Sequence, residues 1–177
     1  LFRSSAASDV YKRQLTYLLG MPIDRLREYA ADFAKTVVRE VAYPEVVAEI
    51  DRHRAEGRLL VLNTASPDFY AQAIADEFGF DLCYATTVVL DGQTTVPHRP
   101  PITGENNKRA AKLRRMKDIL PEHIDPDDPE PIPDSFAYSD SSADIPLLSL
   151  CPPENCTQIH PSPSFRATGE ERGWGVL

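Results

Sequence analysis

Two short apolar runs limit what this chain can fold into more than any other feature. Leu59 to Leu62 is continuously apolar and leads into Asn63 and Thr64, and Phe136 to Tyr138 leads into a serine and an aspartate. A continuous apolar run of this kind is typical of a parallel strand that is buried on both faces. A helix pattern follows each run, and alternating strands and helices predict a parallel sheet covered on both sides. We therefore expect an α/β fold.

Composition and charge limit the classes of function that are open to this chain. The 177 residues are 42% hydrophobic and 26% charged, as in a globular protein with one main domain. The net charge of −8 argues against non-specific binding to nucleic acid or to an anionic membrane. No apolar run approaches the roughly 20 residues that span a bilayer. The three cysteines are too scattered for a disulfide framework, so free thiols and a cytoplasmic location are expected.

Helix and turn signals give the coarse order of elements. Residues 24–41 show a helical apolar period, and a second helix is expected between Pro44 and Gly57. Asp91-Gly92, between two short β-prone runs, predicts a β-hairpin. A basic helix is expected over residues 106–120, a proline-rich acidic loop over 121–134, and a last strand over 155–160.

Two aspartates mark the end of the second apolar run. Asp140 follows the run directly, and Asp144 comes four residues later, at the start of an apolar helix. Mg²⁺ takes one or two carboxylates and keeps its other positions for water and phosphate oxygens, so this pair is a candidate metal site. The alternative is an ordinary helix N-cap followed by a solvated acid in the first turn.

Thr64 and Lys108 are candidate phosphate contacts. In open parallel sheets, ligands bind beyond the carboxyl ends of the strands, where Thr64 and Asp140 both fall. The Thr64 hydroxyl could donate to a phosphate oxygen, as could the backbone amides of Ala65 and Ser66 at the next helix start. Taken alone, Thr64 could equally be a strand-end hydroxyl with no ligand. Lys108 is expected near the start of its helix, where the helix dipole disfavours a cation unless an anion is close.

The order of these features resembles the haloacid dehalogenase-like hydrolases, and most closely their phosphoserine-phosphatase-like branch, subfamily IB. The resemblance lies in Asn63 to Pro67, in Gly104 to Lys108, in Tyr138 to Leu148 and in the closing Arg172-Gly173-Trp174. It implies a magnesium-dependent phosphatase on a Rossmann-like sheet with a small helical cap. Thr64 would hold a phosphate oxygen, Lys108 would neutralise the nucleophile and phosphate, Asp140 would hold Mg²⁺, and Asp144 would complete or orient the metal shell.

The chain departs from the family pattern in two ways. The family usually has glycine where Ser139 precedes the first acid. The Asp-x-Asp-x-Thr/Val motif that supplies the nucleophilic aspartate, which forms an aspartyl-phosphate intermediate, is absent. Residues 1–14 resemble a translated sequencing adapter, residues 15–45 are expected to be part of the cap, and residues 46–177 the core without its central first strand. As written, the chain is therefore predicted to be inactive and poorly stable.

The substrate expected for the intact parent is a small phosphorylated metabolite. Two other classes of function remain open. One is a non-catalytic module that binds an anion in the same crevice. The other is a receiver-like signalling domain, which also gathers acids at strand ends but should lack a helical cap. An upstream Asp-x-Asp in the full gene would support the enzyme over the binding module.

Overall fold

A computed structural model of the chain describes residues 18–98 and 100–177. The described residues form two compact units, residues 18–107 and residues 108–177. The adapter-like segment, residues 1–14, and the first residues of the predicted cap lie outside the described residues.

The first unit contains a two-stranded parallel sheet and most of the helices. Its elements are α1 (Ile23–Phe33), a π-helical turn (Ala34–Val38), α2 (Arg39–Val41), α3 (Pro44–Ala55), β1 (Val61–Pro67), α4 (Asp68–Phe78) and β2 (Leu82–Thr86). Strands β1 and β2 pair in parallel, with α4 as the connection between them. The helices predicted over residues 24–41 and between Pro44 and Gly57, and the strand that leads into Thr64, are therefore present.

The second unit contains a three-stranded parallel sheet in the order β3-β4-β5. Its elements are α5 (Ala111–Arg115), β3 (Ala137–Ser139), a 3-10 turn (Ser142–Asp144), α6 (Ile145–Leu148), a second 3-10 turn (Pro153–Asn155), β4 (Cys156–Gln158), α7 (Pro163–Arg172) and β5 (Gly175–Val176). Parallel strands joined by helices confirm the predicted α/β class. No described strand links the two sheets, and the missing central strand and the boundary at residue 45 stay predictions.

The long first helix buries a stripe along one side. The buried positions recur at steps of three and four residues: Ile23, Leu26, Ala30, Ala34 and Val38. Leu26 belongs to a core cluster with Ile23 and Val96. Tyr29 and Phe33, which the apolar period also included, are 54% and 38% exposed. No helix among the described residues is long and apolar enough to cross a membrane.

The predicted hairpin at Asp91-Gly92 is wrong. The two β-prone runs on either side of this turn pair with more distant parts of the first unit. Val88 bridges to Ile102, and Thr95 bridges to Pro22. Backbone bonds from Val96 N to Met21 O, 2.8 Å, and from Gly20 N to Val96 O, 2.9 Å, reinforce the second pairing. Residues that are distant in the chain therefore pair with the backbone groups that a local hairpin would have used.

The predicted basic helix over residues 106–120 is much shorter than expected. Only Ala111–Arg115 is α-helical, and turns flank it on both sides. Arg109 has a φ of 56°, in the left-handed region that a right-handed helix excludes. Lys108 consequently precedes the helix instead of lying in its first turn.

Gly169, in the middle of α7, leaves room for the side chain of Gln158 in β4. A Cβ at this position would lie 2.1 Å from Oε1 of Gln158, whose side chain is fully buried. The amide of Gln158 cannot easily move away, because its Nε2 donates to the carbonyl of Phe165. Glycine is otherwise unfavourable in a helix interior, so the close contact explains its presence.

We expect Gly169→Ala to lower the free energy of unfolding by about 1–3 kcal/mol, the usual cost of overpacking, although alanine is the better helix former. Urea denaturation followed by circular dichroism measures the change. The double variant Gly169→Ala/Gln158→Ala removes the clashing amide and should recover part of the loss. Equal stability of Gly169→Ala and the wild type would show that the contact is unimportant.

Candidate functional site

The end of β1 carries an irregular segment. Asn63 pairs with Tyr84 and Pro67 with Thr86, so β1 advances four residues while β2 advances two. Thr64, Ala65 and Ser66 fill this gap, and all three are half-buried. The three residues that the sequence placed at a phosphate therefore lie together on a bulge at the carboxyl end of a parallel strand. Bulges of this kind often re-aim backbone and side-chain groups beside functional sites.

The Thr64 hydroxyl is oriented by its own backbone. The amide N–H of Ser66 donates to Thr64 Oγ1 over 3.1 Å. A threonine hydroxyl has one proton to donate in addition to its acceptor lone pairs. Because the oxygen accepts from Ser66, its proton can be directed to an external acceptor such as a phosphate oxygen.

Two buried side chains bind the carbonyls of this bulge. Thr86 Oγ1 lies 2.9 Å from the carbonyl oxygen of Ala65 and 3.0 Å from Oδ1 of Asn106. The same oxygen accepts a hydrogen bond from the backbone N–H of Asn107 over 3.1 Å. The Asn107 side-chain amide lies 2.9 Å from the carbonyl oxygen of Thr64. Thr86 and Asn107, here called the carbonyl clamp, were not assigned any role from the sequence.

The second unit contains a buried lysine–carboxylate cluster. Lys112 Nζ lies 2.7 Å from Asp144 Oδ1, with side-chain exposures of 7% and 13%. The Ser139 hydroxyl, also buried, donates to Asp144 Oδ2 over 2.8 Å. Both oxygens of Asp144 therefore have a partner within the unit, one of them cationic.

Asp140 occupies the turn between β3 and the following 3-10 turn. Its carboxylate is half-buried, and the structure gives it no hydrogen bond or ion pair to residues 18–98 or 100–177. The turn itself is closed by the N–H of Ser141, which donates to Ser139 Oγ over 3.1 Å, and Ser141 Oγ accepts from the N–H of Ala143. Ser139 thus holds both the Asp140 turn and the Asp144 carboxylate, a role that glycine could not fill.

Lys112, and not Lys108, pairs with an acid of the predicted motif. Lys108 is half-buried and lies three residues before α5. The sequence did contain a signal for Lys112, since it stands between Ala111 and Leu113, whereas Lys108 stands between Asn107 and Arg109. A lysine is rarely buried unless it is paired. The role predicted for Lys108 stays a prediction, and Lys112 is a stronger candidate for it.

The two aspartates fit different roles toward Mg²⁺. The described residues contain no group of three or more histidine, cysteine or acidic side chains arranged to hold a metal. Mg²⁺ needs only one or two carboxylates, because water and substrate oxygens fill its remaining positions. Asp140, at a strand end, fits a direct ligand. Asp144, which is already bonded to Lys112 and Ser139, fits a residue that orients the site.

The cysteines contribute no reactive thiolate. All three are free, as the sequence indicated. Burial raises the pKa of Cys83 to about 11 and the pKa of Cys156 to about 12. Burial also raises the pKa of Cys151 above its usual value. These thiols are therefore protonated at neutral pH, and none is poised as a nucleophile.

The sequence profile of the haloacid dehalogenase-like hydrolases matches residues 2–149. This match covers most of the chain, and the protein belongs to that family. The fold agrees: a Bordetella pertussis protein of unknown function superposes with a TM-score of 0.75 and 27% identity, over 98% of this chain and 74% of that one. A substrate-bound phosphoserine phosphatase superposes with a TM-score of 0.61 and 14% identity, over 97% and 71%.

A curated relative bears a name that states an activity. A Mycobacterium tuberculosis protein named "Probable phosphatase" is 26% identical over 98% of this chain and 58% of its own length. The chain spans less than two thirds of the length of this relative and of the Streptomyces azureus protein named for inhibition of morphological differentiation, of which it covers 60%.

Proposed function

We propose that the intact protein is a magnesium-dependent phosphatase that acts on a small phosphorylated metabolite in the cytoplasm, with no nucleic-acid or membrane partner. The observation that carries this proposal is the buried Lys112–Asp144 pair beside Asp140 at the end of β3. A buried cation next to a carboxylate turn suits the binding of a phosphate dianion, whose charge it offsets.

Each group has a distinct task in this proposal. Thr64 Oγ1 and the amide of Ala65 donate to phosphate oxygens, while the Ser66 amide orients the Thr64 hydroxyl. Lys112 offsets the charge of the phosphate and of the nucleophile. Asp140 holds Mg²⁺, which supplies charge stabilisation to the transferred phosphoryl group when bound. The nucleophilic aspartate comes from an Asp-x-Asp-x-Thr/Val motif that the 177 residues do not contain.

The alternative function is a non-catalytic module that binds an anion. The absence of the Asp-x-Asp-x-Thr/Val motif from the sequence favours it. The receiver-like alternative is disfavoured by membership of the hydrolase family. Hydrolysis of p-nitrophenyl phosphate with Mg²⁺ separates the two remaining functions. We expect no turnover by the 177-residue chain and turnover by a full-length gene product that carries the motif. A full-length product with the motif but without phosphatase activity on any small monoester would refute the enzyme.

Thr64→Val tests the phosphate-binding step. Valine keeps the shape of threonine and removes the hydroxyl, so we expect about a tenfold loss in affinity for inorganic phosphate, from the loss of one hydrogen bond to a charged group. Isothermal titration calorimetry with Mg²⁺ present measures this affinity. The matched variant Thr64→Ser keeps the hydroxyl and should bind nearly as well as the wild type. Unchanged binding by Thr64→Val would remove the hydroxyl from the site.

A further inference from the structure

We infer that Asn107 is a positioning residue: its side-chain amide fixes the peptide between Thr64 and Ala65, so that the Ala65 N–H is presented to the phosphate. This inference rests on the proposed function, because it assigns the origin of the geometry at the proposed phosphate site. Asn107 lies 43 positions away from Thr64 in the chain. Its side chain is 1% exposed, so it has no direct access to a ligand in solvent.

The Asn107 amide gathers three acceptors at the carboxyl ends of β1 and β2. Nδ2 lies 2.9 Å from each of three oxygens: Oδ1 of Asn63, the carbonyl of Thr64 and the carbonyl of Tyr84. Two of these belong to β1 and one to β2, so a single amide group ties the two strand ends together. The bulge begins directly after Asn63, where the regular ladder between the strands stops.

The carbonyl clamp determines the direction in which the N–H groups of Ala65 and Ser66 point. In a trans peptide the C=O and the following N–H point in opposite directions. Because Asn107 holds the Thr64 carbonyl, the Ala65 N–H is directed to the opposite side of the peptide. Thr86 holds the Ala65 carbonyl in the same way, and the Ser66 N–H is directed to Thr64 Oγ1. The carbonyls thus face the buried side chains, and the donors face away from them.

The free-energy cost of burying the Asn107 side chain indicates that this residue is present because its N–H groups donate hydrogen bonds. Oδ1 of Asn107 is buried and has no hydrogen-bond partner among the described residues. An unsatisfied buried acceptor costs about 1–3 kcal/mol. Leucine would be of similar size and would avoid that cost, but it could not hold the carbonyls. Exceptions to the rule that buried polar atoms are hydrogen-bonded occur mainly at functional sites.

The test compares three variants of a gene product that carries the Asp-x-Asp-x-Thr/Val motif. Asn107→Asp replaces the donor by an acceptor that faces three oxygens, and Asn107→Leu removes the donor without adding charge. Asn106→Asp makes the same chemical change at the neighbouring residue, whose Oδ1 lies 3.0 Å from Thr86 Oγ1, so it adds a charge without removing the amide that donates to the Thr64 carbonyl. Each variant is titrated with inorganic phosphate and Mg²⁺, and the amide resonances of Ala65 and Ser66 are followed by ¹H–¹⁵N NMR. Urea denaturation reports the stability of each.

We expect both Asn107 variants to shift the Ala65 amide resonance in the ligand-free protein and to bind phosphate at least about tenfold more weakly, the loss of a well-placed charge-assisted hydrogen bond. Asn106→Asp, which controls for added charge, should weaken phosphate binding clearly less than either Asn107 variant does. If a folded Asn107→Leu variant binds phosphate as the wild type does, Asn107 is only structural and the inference is wrong. If the wild type itself binds no phosphate, the proposed function fails first, and the inference fails with it.

Discussion

Replacing Lys112 by methionine is expected to destabilise the second unit and to abolish phosphatase turnover, whereas the same change at Lys108 should do neither. Methionine preserves the apolar stem of Lys112 but leaves the Asp144 carboxylate in its buried position without the cation 2.7 Å away. Removing one partner of a buried ion pair costs about 3–5 kcal/mol, far more than the pair contributes as a whole. Lys108 is half-buried and precedes the helix, so a loss of about 0.5 kcal/mol or less is expected there.

Stability and activity are measured separately in this test. Urea denaturation of the 177-residue chain gives the change in free energy of unfolding, and turnover of p-nitrophenyl phosphate by a gene product that carries the Asp-x-Asp-x-Thr/Val motif gives the catalytic effect. Loss of one preorganised group that stabilises transition-state charge lowers kcat by about 10²–10³-fold. The double variant Lys112→Met/Asp144→Asn removes both charges, and it should regain part of the stability but none of the activity.

The opposite result has a clear meaning. If Lys108→Met abolishes turnover and Lys112→Met leaves it unchanged, then the role predicted from the sequence belongs to Lys108, and the Lys112–Asp144 pair is only structural.

Replacing Asp140 by asparagine is expected to remove divalent-metal binding and to leave stability nearly unchanged. Asparagine has the size of aspartate but lacks the charge that a hard cation requires. Asp144→Asn should instead lower stability and keep most of the metal binding. Its carboxylate is held by Lys112 and Ser139, so the change leaves a buried ammonium unpaired, while metal affinity falls only about tenfold, the lower end of the range for an outer-shell residue.

Mn²⁺ is a suitable probe for this comparison, because free and bound Mn²⁺ are distinguished by electron paramagnetic resonance. Thermal denaturation without metal reports stability in the same samples. Loss of Mn²⁺ binding by Asp144→Asn as complete as that by Asp140→Asn would mean that Asp144 is itself a direct ligand. Full Mn²⁺ binding by Asp140→Asn would remove Asp140 from the metal site.

The sequence predicted the parts of the fold that depend on local pattern. The helix that begins near Pro22, the helix between Pro44 and Gly57 and the strand that leads to Thr64 all follow from apolar spacing and from residues with special backbone preferences. The hairpin prediction failed because Thr95 and Val96 pair with residues some seventy positions earlier in the chain. A propensity argument that considers only neighbouring residues cannot identify such partners.

The candidate site was predictable only in part, for the same reason. Thr64 and Asp140 stand at the ends of apolar runs, which is visible in the sequence. The choice between Lys108 and Lys112 depends on where the helix begins. Arg109 prevents an earlier start because its backbone is left-handed, which its neighbours in the sequence do not predict. Asn107 lies within the Gly104 to Lys108 segment that carries the resemblance, but its own role was not predicted, because that role depends on three acceptors that only the folded chain brings together.

The contact between Gly169 and Gln158 has a consequence for how this family branch can evolve. A side chain at position 169 would meet the end of the long amide at position 158, so one of the two must shift. Substitution at the helix position is therefore expected to cost less after the strand position has become smaller. The two sites are expected to change as a pair, in that historical order, along any lineage that loses the glycine.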